Sequence, residues 1–201
     1  EVSKLNMEHI DLRDVLSTSD YYSTDTHWKQ ENLDKVVKHM NETMNFGYIE
    51  QDYEINAFNE FYGVYYSEAA NNMKPDTIKY LTNKIISEST VKYLENDKLT
   101  TVYNEGNLGS LDSYEVYLDG ASSFIEITNN NATTDKELVI FRDSFASSLT
   151  PLLINSYSKI TLIDNRYITS MVFKDLIEFN NQDVLFMFNT EIINNSTILR
   201  G

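Results

Sequence analysis

Residues 137–149, ELVIFRDSFASSL, decide the fold of this chain. Leu138-Val139-Ile140-Phe141 is an unbroken apolar run, the mark of a strand buried on both faces. Arg142-Asp143-Ser144 halts it, and apolar residues then return at helical spacing in Phe145, Leu149, Leu152 and Leu153. The segment predicts a strand, a sharp turn and a helix, with Ser144 at the turn. A serine there stands at the carboxyl edge of a sheet, beside free N–H groups of a helix N-terminus that can stabilise an oxyanion. The placement suits a nucleophile, although the G-x-S-x-G pattern of a nucleophile elbow is absent. A plainer reading also fits, since Asp and Ser are common helix N-caps.

Downstream, residues 160–163 form a second short apolar strand, ending in Asp164-Asn165-Arg166-Tyr167. Residues 170–179 have a helical pattern, and residues 184–188 (VLFMF) make a third buried strand. Strand–helix–strand–helix–strand predicts neighbouring parallel strands covered by helices on both faces, an α/β domain. Upstream, residues 1–20 suggest an imperfectly amphipathic helix, and residues 29–45 a helix stopped by Gly47. Residues 116–118 and 124–127 suggest a hairpin around Asp119-Gly120. Residues 48–105 follow no single period. They read as strands or a hairpin through 53–66, a turn at Pro75-Asp76 and a strand at Val102-Tyr103. The chain is therefore expected to be one domain over residues 1–201, with 48–105 a peripheral insertion or sheet extension.

Composition narrows the function. A net charge of −15 opposes a nucleic-acid partner and adsorption to an anionic membrane, since either would need a basic face. With no Cys there is no disulfide, thiol nucleophile or Cys-ligated zinc. No apolar run approaches the roughly 20 residues of a membrane span, and no signal peptide is visible. The start at Glu1 suggests a fragment or a processed form.

The second chemical motif is Asp25-Thr26-His27-Trp28. A carboxylate two residues before a histidine can bond Nδ1–H, fix the tautomer and leave Nε2 free as a base. A turn that bonds its own backbone, or half of a metal site, are the alternatives. Zinc would want further nitrogen or carboxylate ligands, and no second His pair supplies them, so no metal or cofactor is expected. The aromatics Tyr53, Phe58, Phe61, Tyr62, Tyr65 and Tyr66 suit either sugar stacking or cross-strand packing. Arg166 suits either a substrate carboxylate or a structural pair with Asp164.

Taken together, Tyr22–Trp28 with its TDTHW and Asp143-Ser144-Phe145 at a strand-to-helix turn resemble the DHHW protein family of Gram-positive bacteria. They also resemble the related alginate O-acetylation proteins of the AlgJ/AlgX type. Lys74-Pro75-Asp76-Thr77-Ile78, Asp112-Ser113-Tyr114 with Tyr117-Leu118, and Ile163-Asp164-Asn165-Arg166-Tyr167 fit the same pattern. The resemblance implies a three-layer, SGNH-hydrolase-like α/β domain with a mostly parallel central sheet, N-terminally truncated. It implies Ser144 as nucleophile, His27 as base and Asp25 as its orienting acid, in permuted order because ordinary SGNH hydrolases place the serine first. Trp28, Tyr22 and Arg166 would shape the site.

Three positions depart from the family pattern. Thr26 replaces the first His of DHHW, Arg142 replaces the Gly of a Gly-Asp-Ser motif, and Ala121 stands where an Asn is expected after Asp119-Gly120. If the resemblance extends to that Asn as an oxyanion donor, Ala121 cannot replace it and the donor must come from backbone or elsewhere; losing one such donor typically costs about 10²–10³ in rate. The resemblance implies a serine esterase or O-acetyltransferase acting on a cell-surface polysaccharide, outside the cell or at its envelope, with a membrane acyl donor protein as a second partner. Ala121 and Arg142 keep open a non-catalytic carbohydrate-binding or scaffold protein on the same fold.

Overall fold

The computed structural model describes residues 7–69 and 73–200. Two strands, β1 (Glu54–Phe61) and β2 (Asp76–Thr82), pair antiparallel in a small sheet of their own. Six more build the main sheet: β3 (Thr90–Tyr93), β4 (Asn96–Thr100), β5 (Phe124–Thr128), β6 (Glu137–Arg142), β7 (Lys159–Ile163) and β8 (Asp183–Met187). Their order is β4-β3-β5-β7-β6-β8. The three apolar runs foreseen from sequence are neighbours, with β6 parallel to both β7 and β8. The other half is antiparallel, because β5 reverses against β7, β3 against β5 and β4 against β3. β3, β6, β7 and β8 therefore point one way, while β4 and β5 oppose them.

Alternation along β6 explains the layers. Leu138 and Ile140 enter one apolar cluster, with Val36, Val37 and Met40 of α1 (Asp34–Met44) and Leu149, Leu152 and Leu153 of α4 (Phe145–Leu153). Val139 and Phe141 enter a second cluster on the other face, with Phe173 of α5 (Ser170–Leu176). Because successive side chains alternate across a strand, a sheet coated on both faces needs an unbroken apolar run. The result is the three-layer α/β arrangement. The remaining helices are short: α2 (Val64–Ala69), α3 (Lys84–Glu88) and α6 (Thr190–Asn194).

Several local expectations are corrected. Residues 7–20 hold no α-helix; Ile10, Leu12, Val15 and Leu16 instead pack against the main core as an irregular strap ending in a 3-10 turn at Thr18–Asp20. Residues 1–6 of that expected helix lie outside the described residues. The hairpin around Asp119-Gly120 does not form. Ser113–Val116 is a 3-10 turn, Tyr117 bridges Tyr103, and β5 pairs with β3 and β7. The Asp-Gly signal registers something else, a run of three left-handed residues: Leu118 (φ 54°), Asp119 (φ 53°) and Gly120 (φ 79°). Within 48–105, the stretch expected to be strands runs from β1 into α2, while β3 and β4 extend the main sheet at one edge. The helix expected over 170–179 stops at Leu176, with Ile177 already extended.

Gln30 couples the small sheet to α4. Fully buried, it donates to the Ser148 carbonyl at 2.7 Å and accepts from Leu81 N of β2 at 2.7 Å. A buried amide with both ends bonded is costly to misplace. It fixes β2 against α4.

Candidate active site

Ser144 follows the last residue of β6 by two positions and begins α4, so sheet and helix together fix its backbone. Asp143 does the capping that sequence alone left open. Its Oδ1 accepts from Phe145 N at 3.0 Å and its Oδ2 accepts from Asn189 N at 2.6 Å. The Ser144 hydroxyl makes no cap bond. It lies instead 2.7 Å from His27 Nε2. Among the described residues the Ser144 N–H has no acceptor, which leaves a backbone donor beside the hydroxyl.

His27 arrives on a turn between two bridged residues, Tyr21 and Trp28. Its Nδ1 is 2.6 Å from Asp25 Oδ1, and its backbone N–H donates to the same oxygen at 2.9 Å. Burial opposes ionisation of Asp25. The bonds from the His27 ring and backbone and from Val64 N outweigh it and hold the carboxyl below its usual range. An ionised carboxylate can only accept, so Nδ1 carries the proton and Nε2 of the neutral ring must accept from Ser144. That is the tautomer a general base needs.

The rest of the setting keeps this chain of three rigid. Tyr114 stacks on the imidazole with centroids 3.8 Å apart and planes at 10°, while Phe145 packs at 4.8 Å. Tyr114 is also anchored by its hydroxyl, 2.8 Å from Ser148 Oγ. Trp28 Nε1 donates to the Phe145 carbonyl at 3.1 Å and to Ser148 Oγ at 2.9 Å, tying the histidine turn to the first turn of α4. Asp25 Oδ2 accepts from Val64 N at 3.1 Å, so α2 of the middle region grips the acid from behind. Asp76 secures the neighbouring turn, accepting at Oδ2 from Ser23 N, Thr24 N and Thr24 Oγ1 at 2.9, 2.7 and 2.8 Å.

Of the residues singled out from sequence, Asp25, His27, Ser144 and Trp28 come together. Tyr22 is 4% exposed and packs edge-on against Phe61 at 4.9 Å, so it supports the turn from within the core. Arg166 forms a two-pronged pair with Asp164 at 2.9 and 2.6 Å, the structural alternative. Among the described residues no group of three or more His, Asp or Glu could hold a metal. No described helix is long and apolar enough to cross a membrane.

Sequence reasoning missed the roles of Tyr114, Gly63 and Val64. Tyr114 and Asp76 lay within stretches that carried the family resemblance, but nothing in their spacing revealed a ring on the imidazole or a carboxylate under Thr24. Gly63 had no local signal at all. It is required because a Cβ there would lie 2.2 Å from Asp25 Cβ.

The architecture is that of SGNH-like α/β proteins. It is similar to the crystal structure of a DHHW family protein from Eubacterium siraeum, with a TM-score of 0.69 and 20% identity over 90% of this chain and 65% of that one. Bacillus cereus PatB1 carrying a sulfonyl adduct gives a TM-score of 0.68 and 17% identity over 94% of this chain and 67% of that one. A second PatB1 structure gives 0.61 and 19%, covering 90% of this chain and 64% of that one. The chain thus spans about two-thirds of the length of these structures. No family model matches the sequence, and no curated protein does.

Proposed function

We propose that the chain is a serine-dependent esterase or O-acetyltransferase acting on acyl groups of a cell-surface polysaccharide, at or outside the cell envelope. The observation that carries this reading is the continuous bond from Asp25 through His27 to Ser144, 2.6 and then 2.7 Å. Ser144 Oγ attacks the acyl carbon while its proton passes to Nε2, and Asp25 stabilises the imidazolium that forms. The carbonyl oxygen gains the negative charge and meets the Ser144 N–H and the N-terminus of α4. Collapse expels the sugar alkoxide, which takes the proton from His27. Water then completes hydrolysis, or a sugar hydroxyl completes transfer. Net acidity favours a neutral or cationic polymer over a polyanion.

The test is covalent labelling. A fluorophosphonate or sulfonyl fluoride probe should modify Ser144, as mapped by mass spectrometry, and leave Ser144→Ala untouched. With p-nitrophenyl acetate as donor, release without a glycan marks an esterase, and an acetyl mass gained by an added oligosaccharide marks a transferase. An unreactive Ser144 in the folded chain would leave the non-catalytic carbohydrate-binding reading.

A further inference from the structure

Arg142 is the least economical residue in the fold. It lies two positions beyond Ile140 on the same face of β6, so its side chain runs under α4 rather than out to solvent. It is 2% exposed. Its Nη1 donates to Ser147 Oγ at 2.7 Å, its Nη2 reaches the Ser122 carbonyl at 3.5 Å, and its Nε has no partner. Among the described residues no carboxylate forms an ion pair with it. Both nearby acids are already engaged, Asp164 by Arg166 and Asp143 by Phe145 N and Asn189 N. A guanidinium keeps its proton even when buried. The protein therefore holds a cation with no directly bonded carboxylate, compensated only at longer range by Asp164 and Asp143, at the N-terminus of a nine-residue helix, where the helix dipole opposes it.

Stability alone would replace such a group by an apolar one. The bond to Ser147 places this charge at the first turn of α4, within one helical turn of Ser144. Arg142 also reaches the turn that departs from the family pattern. Leu118, Asp119 and Gly120 are all left-handed, a strained arrangement that persists only when over-determined. Asp119 is fixed by Asn104 and Asn107, and Ser122 and Ser123 are fixed by Glu95. Ser122 then meets Arg142.

We infer that Arg142 is a positioning residue for the Ser144 reaction: its buried charge supplies fixed positive potential for the oxyanion, in place of the side-chain donor absent at Ala121. It touches no substrate. This inference rests on the serine reading above.

The experiment compares wild type, Arg142→Met and Arg142→Lys for the rate of Ser144 labelling by a fluorophosphonate, resolved into reversible binding and bond formation, beside thermal melts. The Met variant should melt at or above the wild-type temperature and bind the probe equally, yet form the bond at least about 10-fold more slowly. The Lys variant should recover most of that rate. A Met variant that fails to fold, or melts well below wild type, would make Arg142 a structural strut and overturn the inference. So would unchanged bond formation in Met, or a Lys variant as slow as Met. Absence of labelling in wild type would instead remove the serine reading and this inference with it.

Discussion

His27 Nε2 stands 2.7 Å from Ser144 Oγ although 117 positions of sequence separate them. Nothing local brings them together. The contact depends on Trp28, whose indole reaches α4, and on Gln30, which bonds both α4 and β2. The turn carrying His27 is held on the helix that Ser144 begins by buried bonds on either side of this contact.

Replacing His27 by Gln should leave the fold nearly intact and stop the chemistry. Gln can donate to Asp25 but cannot accept and later return a proton. Ser144 labelling and p-nitrophenyl acetate turnover should fall by about 10³–10⁴. Turnover within a factor of ten of wild type would mean that another base serves Ser144.

Trp28→Phe separates packing from hydrogen bonding. The ring remains against Phe145, with which the indole is edge-on at 5.4 Å, but both Nε1 bonds are lost. Leaving buried acceptors unpaired costs about 1–3 kcal/mol. A lowered melting temperature should appear together with a reduced rate, because the same bonds fix the base. A variant with wild-type stability would show that those bonds contribute nothing net.

Acid should weaken the fold through its bonded carboxylates. Asp25 is held below the usual range by the bonds from His27 and Val64, which outweigh burial. Asp20 is held down in the same sense by Lys35 and Ser17, also against burial. A depressed folded-state pKa contributes stability that is complete above the unfolded value, about 4, and is lost as pH falls through the folded one. Melting temperature should be flat in these groups from neutrality to about pH 5 and drop below about pH 4. Asp25→Asn should melt lower at neutral pH and show a shallower acid decline.

What the sequence revealed follows from where its constraints are local. β6, β7 and β8 were legible because each is buried on two faces, which forces an unbroken apolar run. Ser144 was legible as a turn residue, and as a candidate nucleophile or a helix cap; the sequence could not choose between these, since the difference lies in whether Asp143 takes over the cap. The β3–β4 hairpin was hidden because its turn, Leu94-Glu95, contains neither Gly nor Asn. The N-terminal strap was misread because Ile10, Leu12, Val15 and Leu16 satisfy a long-range packing surface without keeping a helical period. Tyr114 on His27, and α2 behind Asp25, are contacts between distant segments and leave no periodic trace.

Gly63 offers the sharpest local test of how the middle region serves the site. A Cβ on it would fall 2.2 Å from Asp25 Cβ, 2.5 Å from Asp25 Oδ2 and 2.5 Å from the Thr24 carbonyl, so either α2 or Asp25 must move. Movement of α2 breaks the Val64 N bond to Asp25, and movement of Asp25 misaligns the His27 ring. Either shift, of about 1 Å, can cost on the order of 10²-fold in rate. Gly63→Ala should therefore lower kcat far more than it alters KM. Gly47→Ala is the matched control. Its φ of +87° makes alanine strained, but no atom lies within 4 Å of the added carbon. That variant should lose about 1 kcal/mol of stability and keep its activity. Full activity in Gly63→Ala would show that Asp25 is not held from α2, and that the middle region does not set the geometry of the base.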